Sequence, residues 1–220
     1  MPDSALNVRV GGYRAGMAAL TAFALNCSLK SPDAESSTDR LLGEVLEELR
    51  RHGVESGPPV RMSEVDVKPG VTSDEGDGDD WPEIRGRILD ADVFVLGTPI
   101  WVGHPSSFAQ RVIERLDAFL GEEDEQGRMI SYDRVALVAV VGNEDGAHHV
   151  AAELFQGLND VGFTIPANGM TYWVGEAMQG TDYKDLPSRP EKTDAATKAA
   201  AANAAHLARL LQGSGYPTSS

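Results

Sequence analysis

The chain has a single cysteine, Cys27, among its 220 residues. No intrachain disulfide can form, no CxxC pair occurs, and no Cys/His cluster has metal-ligand spacing, so a disulfide-stapled fold is excluded and no metal centre is predicted. A reducing, cytoplasmic setting is the expectation. Basic residues are also scarce: 19 Lys and Arg stand against 34 Asp and Glu, a formal charge of −15. Such a surface repels phosphate backbones and anionic lipid, which argues against nucleic acid or a membrane as the main partner. Long apolar runs are missing as well. No stretch approaches the roughly 20 residues of a membrane span, and the N-terminus does not read as a secretory leader. Neither GxGxxG nor GxxxxGK[ST] occurs, so the two familiar glycine-rich phosphate loops are absent.

What the chain does have is an alternation of short apolar runs with amphipathic segments. MAALTAFALN at 17–26, Val60 to Val67, the run from Ala91 to Thr98, RVALVAVVG at 134–142 and Phe163 to Ala167 predict strands. Between and after them, helical spacing links Leu41, Leu42, Val45, Leu46 and Leu49, then Trp81 to Leu89, Ser106 to Leu120, the segment through Val150, Leu154, Leu158 and Val161, and the Ala-rich Thr193 to Leu211. Strands alternating with helices predict an α/β fold, a doubly wound five-stranded parallel sheet in one domain over 17–212. Residues 1–16 read as an arm and 213–220 as a tail. The acidic stretch 68–80 reads as a mobile loop, and 169–190, which lacks any period, as an ordered excursion or partner-facing loop. Arg111, Glu114, Arg115 and Asp117 are expected on the outer, solvated face of their helix.

In open α/β sheets ligands sit beyond the carboxyl ends of the strands, which puts three polar loops at one edge: 27–38, 98–105 and 142–149. The first, CSLKSPDAESST, runs into a helix. Ser36, Ser37 and Thr38 there either cap that helix or, with the free N–H groups of its first turn, form an anion site suited to phosphate. Lys30 would add charge or be solvated, and Cys27 reads as a small buried side chain. The second loop carries Thr98, Trp101 and His104. Together with His148 and His149 in the third, His104 is either a solvent-exposed imidazole or a proton relay.

The combination of CSLKSPDAESSTDRLL after strand one, LGTPIWVGHPSSFAQRVIERLD after strand three and VGNEDGAHH after strand four resembles the flavodoxin-like NAD(P)H-dependent FMN reductase family. The resemblance covers residues 18 to 212, and TPIW-G-PSS is its most specific part. It implies a sheet of order 2-1-3-4-5 with FMN at the strand carboxyl ends. On this basis the FMN phosphate falls on Ser28, Lys30, Ser36, Ser37 and Thr38. The isoalloxazine ring then lies against Thr98, Pro99, Ile100, Trp101, Val102 and Gly103, with Gly142, Asn143, Glu144, Asp145 and Gly146 as a third contacting loop. Departures are a longer, more acidic phosphate loop, with Asp33 and Glu35 close to the anion and required to point away, and the 70–80 insertion. Tyr172 and Trp173 either cover the flavin or pack in the core. The implied activity is hydride transfer from NAD(P)H to a flavin, quinone or similar small-molecule acceptor, in a homo-oligomer, with no catalytic residue assigned. The alternatives are a flavodoxin-type electron carrier and a flavin-free binding module.

Overall fold

The computed structural model describes residues 18–218; the expected N-terminal arm lies outside the described residues. Elements follow in the order β1 Leu20–Asn26, α1 Ser37–Arg51, β2 Val54–Ser56, β3 Val60–Arg61, α2 Trp81–Asp90, β4 Val93–Trp101, β5 His104–Pro105, α3 Ser107–Leu116, β6 Val135–Val141, α4 Ala147–Asp160, β7 Met170–Trp173 and α5 Glu191–Gly213. The sheet path is β2-β1-β4-β6-β7, with β3 also on β1 and the short β5 folded back on β4. All pairs along that path are parallel. Counting β2 and β3 as one interrupted strand position gives the flavodoxin-like order 2-1-3-4-5.

The central strands are apolar on both faces, as a parallel sheet covered on both sides requires. Phe94 and Leu96 of β4 and Ala136, Val138 and Val140 of β6 pack under α2, α3 and α4. Their neighbours Val93, Val95, Val135, Leu137, Ala139 and Val141 pack under α1 and α5. The alanines of α5 at 200, 201, 204, 205 and 208 are all buried, letting that helix lie close to the sheet. No helix among the described residues is long and apolar enough to cross a membrane.

Two predicted strands are corrected. The second does not run from 60 to 67. Pairing with β1 begins at Val54, breaks at Gly57-Pro58-Pro59 and resumes for Val60 and Arg61, after which Met62–Glu64 form a 3-10 turn. Two consecutive prolines have no N–H to give a ladder, which accounts for the break. The fifth strand is not Phe163 to Ala167. Thr164 alone bridges Val135, Pro166 interrupts, and full pairing with β6 starts at Met170, inside the segment that has no period.

A third correction concerns Arg115. Expected on the solvated face of α3, it is fully buried and paired with Asp79 at 2.7 Å. Arg115 also donates to the Lys68 carbonyl at 2.9 Å, and Arg111 to that of Val67 at 3.0 Å. The acidic 68–80 stretch, read as a mobile loop, is thereby anchored to α3 at both ends.

Candidate functional site

The carboxyl ends of β1, β4 and β6 open into a cleft of about 590 Å³, within the usual range of about 300–1,000 Å³ for small-molecule sites. Its β1 side is the loop that leads into α1. Ser36 is the N-cap, accepting from the Thr38 N–H at 3.2 Å, and Ser28 Oγ accepts from the Lys30 N–H at 3.2 Å. The loop is shaped from outside by Arg61, whose guanidinium donates to the carbonyls of Ser31, Pro32 and Ala34 at 3.2, 2.7 and 2.9 Å. Asp39, the acid of the helix's first turn, is held by Asn26 and Arg61. Its charge is thereby offset rather than turned against an anion at the helix terminus.

The β4 side is a tight hairpin. Val102 and Gly103 take φ of 53° and 78°, so that Trp101 pairs with His104 and Ile100 with Pro105. The Val102 N–H donates to Glu144 Oε1 at 2.9 Å, tying this turn to the loop after β6. Glu144 therefore shapes the loops. Gly146, at φ 117°, lets the two backbones meet; a Cβ there would stand 3.0 Å from the Gly103 Cα.

The remaining wall comes from the segment after β7. The Met178 N–H donates to the Asn143 carbonyl at 2.7 Å, and Asn143 Nδ2 to Asp182 at 2.8 Å. The Lys184 N–H donates to Ser37 Oγ at 3.2 Å. Arg40, on α1, gathers the carbonyls of Tyr183, Lys184 and Leu186 at 2.8, 3.1 and 2.7 Å. Tyr183 itself is buried against Trp173 and donates its hydroxyl to Glu44. Burial, reinforced by that carboxylate, pushes the Tyr183 phenol well above its ordinary range, so it stays protonated.

Of the predicted residues, Ser28, Lys30, Ser36, Ser37, Thr38, Pro99, Ile100, Trp101, Gly142, Asn143 and Glu144 line this cleft. Thr98 does not: it is buried, its hydroxyl accepting from the Ser106 N–H at 3.0 Å and so fixing the start of α3. Val102, Gly103, Asp145 and Gly146 are also outside the lining, and they form the hairpin and loop behind it. Trp173 lines the cleft while Tyr172 packs against His148 at 4.9 Å between ring centroids. Sequence reasoning did not single out Leu29, Val141, Met178, Gln179, Asp182 and Lys184. The last four lie in the aperiodic 169–190 segment, where no pattern marks them. Glu35, expected to point away, is exposed and lines the edge of the cleft. Cys27 is fully buried, and burial pushes its thiol up, away from nucleophilic use.

Positive charge in the cleft comes from Lys30 and Lys184, which stand at the α1 side, and the wall opposite is Pro99, Ile100 and Trp101. The donor set of hydroxyls, a helix N-terminus and ammonium groups fits a phosphate, and the apolar wall fits a flat ring. His104 and His149 are outside the lining; both approach Glu153 Oε1, at 3.0 and 2.8 Å.

A sequence profile described as NADPH-dependent FMN reductase matches residues 21–179. The 8-demethyl-8-aminoriboflavin-5'-phosphate synthase of Streptomyces davaonensis is 31% identical over 91% of this chain and 81% of its own. The crystal structure of RosB with bound 8-demethyl-8-formylriboflavin-5'-phosphate superposes with a TM-score of 0.81 at 31% identity, covering 90% of this chain and 82% of the other. A protein of Mycobacterium bovis named divalent metal cation transporter MntH is 36% identical over 88% of this chain, which spans only 29% of that protein's length. On the profile match and the superposition, the chain belongs to the NADPH-dependent FMN reductase family and has a flavodoxin-like fold.

Proposed function

We propose that the cleft holds FMN and that the protein passes hydride from NAD(P)H to a flavin, quinone or similar small acceptor. The observation that carries this reading is the cleft itself, with the α1 terminus and its hydroxyls at one side and Pro99–Trp101 at the other. Ser28, Lys30, Ser36, Ser37 and Thr38 hold the phosphate. Pro99, Ile100 and Trp101 flank the ring, and Gly142, Asn143 and Glu144 close the third side. Val102, Gly103, Asp145 and Gly146 keep those walls at their spacing. Bound flavin supplies the hydride chemistry, and the residues of this chain bind, orient and shield it from water. No side chain is assigned as a proton donor or acceptor. A homo-oligomer in a reducing cytoplasm is the setting we infer. Support for association comes from exposed apolar side chains in and beside the lining, Leu29, Trp101, Val102 and Met178.

A second reading has specific support. The RosB structure, similar to this chain at a TM-score of 0.81, holds a flavin phosphate named as an intermediate; in this reading flavin is substrate rather than resident cofactor, and the same cleft presents the ring to a co-reactant. One experiment separates the readings. The purified protein is scanned for visible absorbance, loaded with FMN, reduced anaerobically with NADH or NADPH, and offered flavin and quinone acceptors, after which the flavin is released and weighed. Turnover with unaltered FMN supports the reductase. An altered flavin mass supports flavin modification. Reversible one-electron reduction without NAD(P)H turnover supports an electron carrier, and a colourless protein that leaves FMN fluorescence unquenched removes all three.

A further inference from the structure

We propose that His104, His149 and Glu153 form a binding site for a divalent transition-metal ion of the zinc class, set beside the cleft and outside its lining. His149 and Glu153 are one helical turn apart on α4 and share a face. His104 arrives from the hairpin strand β5, 49 residues away from Glu153 in sequence. Among the described residues these three bring their ligand atoms to within 4.8 Å of one another.

The three side chains are joined by hydrogen bonds at a spacing a little shorter than a shared ion requires. Glu153 Oε1 lies 3.0 Å from His104 Nδ1 and 2.8 Å from His149 Nε2. Ligands at about 2.0–2.2 Å in a tetrahedral site stand about 3.3–3.5 Å apart, so small side-chain rotations seat an ion among all three. The imidazole rings meet edge to face, with centroids 5.1 Å apart and planes at 73°. That arrangement lets two ring nitrogens aim at one point without the rings colliding. Two imidazole nitrogens and one carboxylate oxygen form a borderline donor set that favours zinc, nickel, cobalt or copper over magnesium and calcium. The side chains are 62%, 57% and 36% exposed, leaving room for water in the remaining positions and a path for the ion.

Such an ion would join β5 to α4. His104 is the register partner of Trp101, so the bound metal would fasten the hairpin that carries one wall of the cleft to the helix behind it. The site thus acts as a positioning clamp on the Trp101 turn and takes no part in hydride transfer. It rests on the cluster alone and holds whether or not the cleft binds FMN.

The test uses the full chain without an affinity tag, stripped with chelator and dialysed, then titrated with ZnCl2 by calorimetry near neutral pH. One saturable equivalent is expected, together with a rise in the thermal midpoint. His104→Gln, His149→Gln and Glu153→Gln should each weaken binding by about tenfold or more, whereas His206→Gln, an exposed histidine elsewhere, should leave it unchanged. Because all three ligands are at the surface, the variants are expected to match the wild-type midpoint in the absence of metal. Absence of saturable binding, or binding that survives His149→Gln unchanged, overturns the proposal. So does a zinc stoichiometry that falls with His206→Gln and not with the three ligands.

Discussion

Two positions at the cleft and its supporting loops carry testable constraints at the scale of single residues. Gly146 sits at φ 117° and its missing Cβ leaves space for the Gly103 backbone 3.0 Å away. Replacing it with Ala both strains the left-handed conformation and pushes the two loops apart. Gly146→Ala is expected to lower stability by about 1–3 kcal/mol, read as a shift in the urea midpoint at constant m-value. Ser28 makes a different kind of claim. Its hydroxyl is buried and already accepts from the Lys30 N–H, leaving the proton to donate outward. If it holds a phosphate, Ser28→Ala removes a charge-assisted hydrogen bond of about 1.5–3 kcal/mol. FMN affinity measured by fluorescence quenching should then fall about ten- to a hundredfold, and an unchanged affinity excludes Ser28 as a ligand.

Between elements, the pairing of the 68–80 loop with α3 is the contact most exposed to test. The side chains of Arg115 and Asp79 are both buried, and removing one partner strands the other charge in the interior. Arg115→Met is expected to lose about 3–5 kcal/mol, whereas the double variant with Asp79→Leu should recover part of that loss, a coupling measurable by chemical denaturation. The pH dependence has a definite sign. Burial alone would raise the Asp79 carboxyl, but backbone N–H groups of Glu75, Lys68 and Trp81 and the Arg115 guanidinium outweigh it and hold it below the usual carboxylate range. The ionised form is therefore the one the fold prefers. Its stabilisation is complete above the unfolded value of about 4 and disappears as pH falls through the lower folded value. Consequently the stability gap between the native protein and Asp79→Asn should narrow as acid unfolding is approached from neutrality.

At the scale of the whole molecule, the −15 charge opposes compaction. Screening it with about 0.15 M salt, where the Debye length is about 8 Å, is expected to raise the thermal midpoint above its value in dilute buffer. Oligomer formation by the inferred homo-oligomer should strengthen over the same range, seen as a larger sedimentation coefficient. A protein that stays monomeric at all salt and protein concentrations removes that part of the proposal.

How much was legible in the sequence divides along a physical line. The central strands were readable because a parallel sheet covered on both faces is an unbroken apolar run, as at Val93–Leu96 and Val135–Val141. Helix α1 was readable because Leu41, Leu42, Val45, Leu46 and Leu49 repeat at its period; the cap expected at Ser37 or Thr38 falls one or two residues earlier, on Ser36. From these the alternation and the doubly wound parallel sheet followed, whereas the strand order and the lining residues Ser28, Lys30, Ser36, Ser37, Thr38, Pro99, Ile100 and Trp101 were named through the family resemblance. Edge strands were not legible: β2 and β7 are three and four residues long, too short to show a period, Pro58 and Pro59 separate β2 from β3, and Pro166 cuts the 163–167 run. Tertiary structure alone decided that Arg115 turns inward, because its partner Asp79 lies in a loop with no pattern of its own. It alone brought Lys184, Met178 and Asp182 to the cleft and His104 to Glu153. Local periodicity records which side of an element is buried; it holds no record of which distant polar group completes a pair. Those pairings depend on where the sheet delivers each loop, and that is fixed only once all the strands have taken their places.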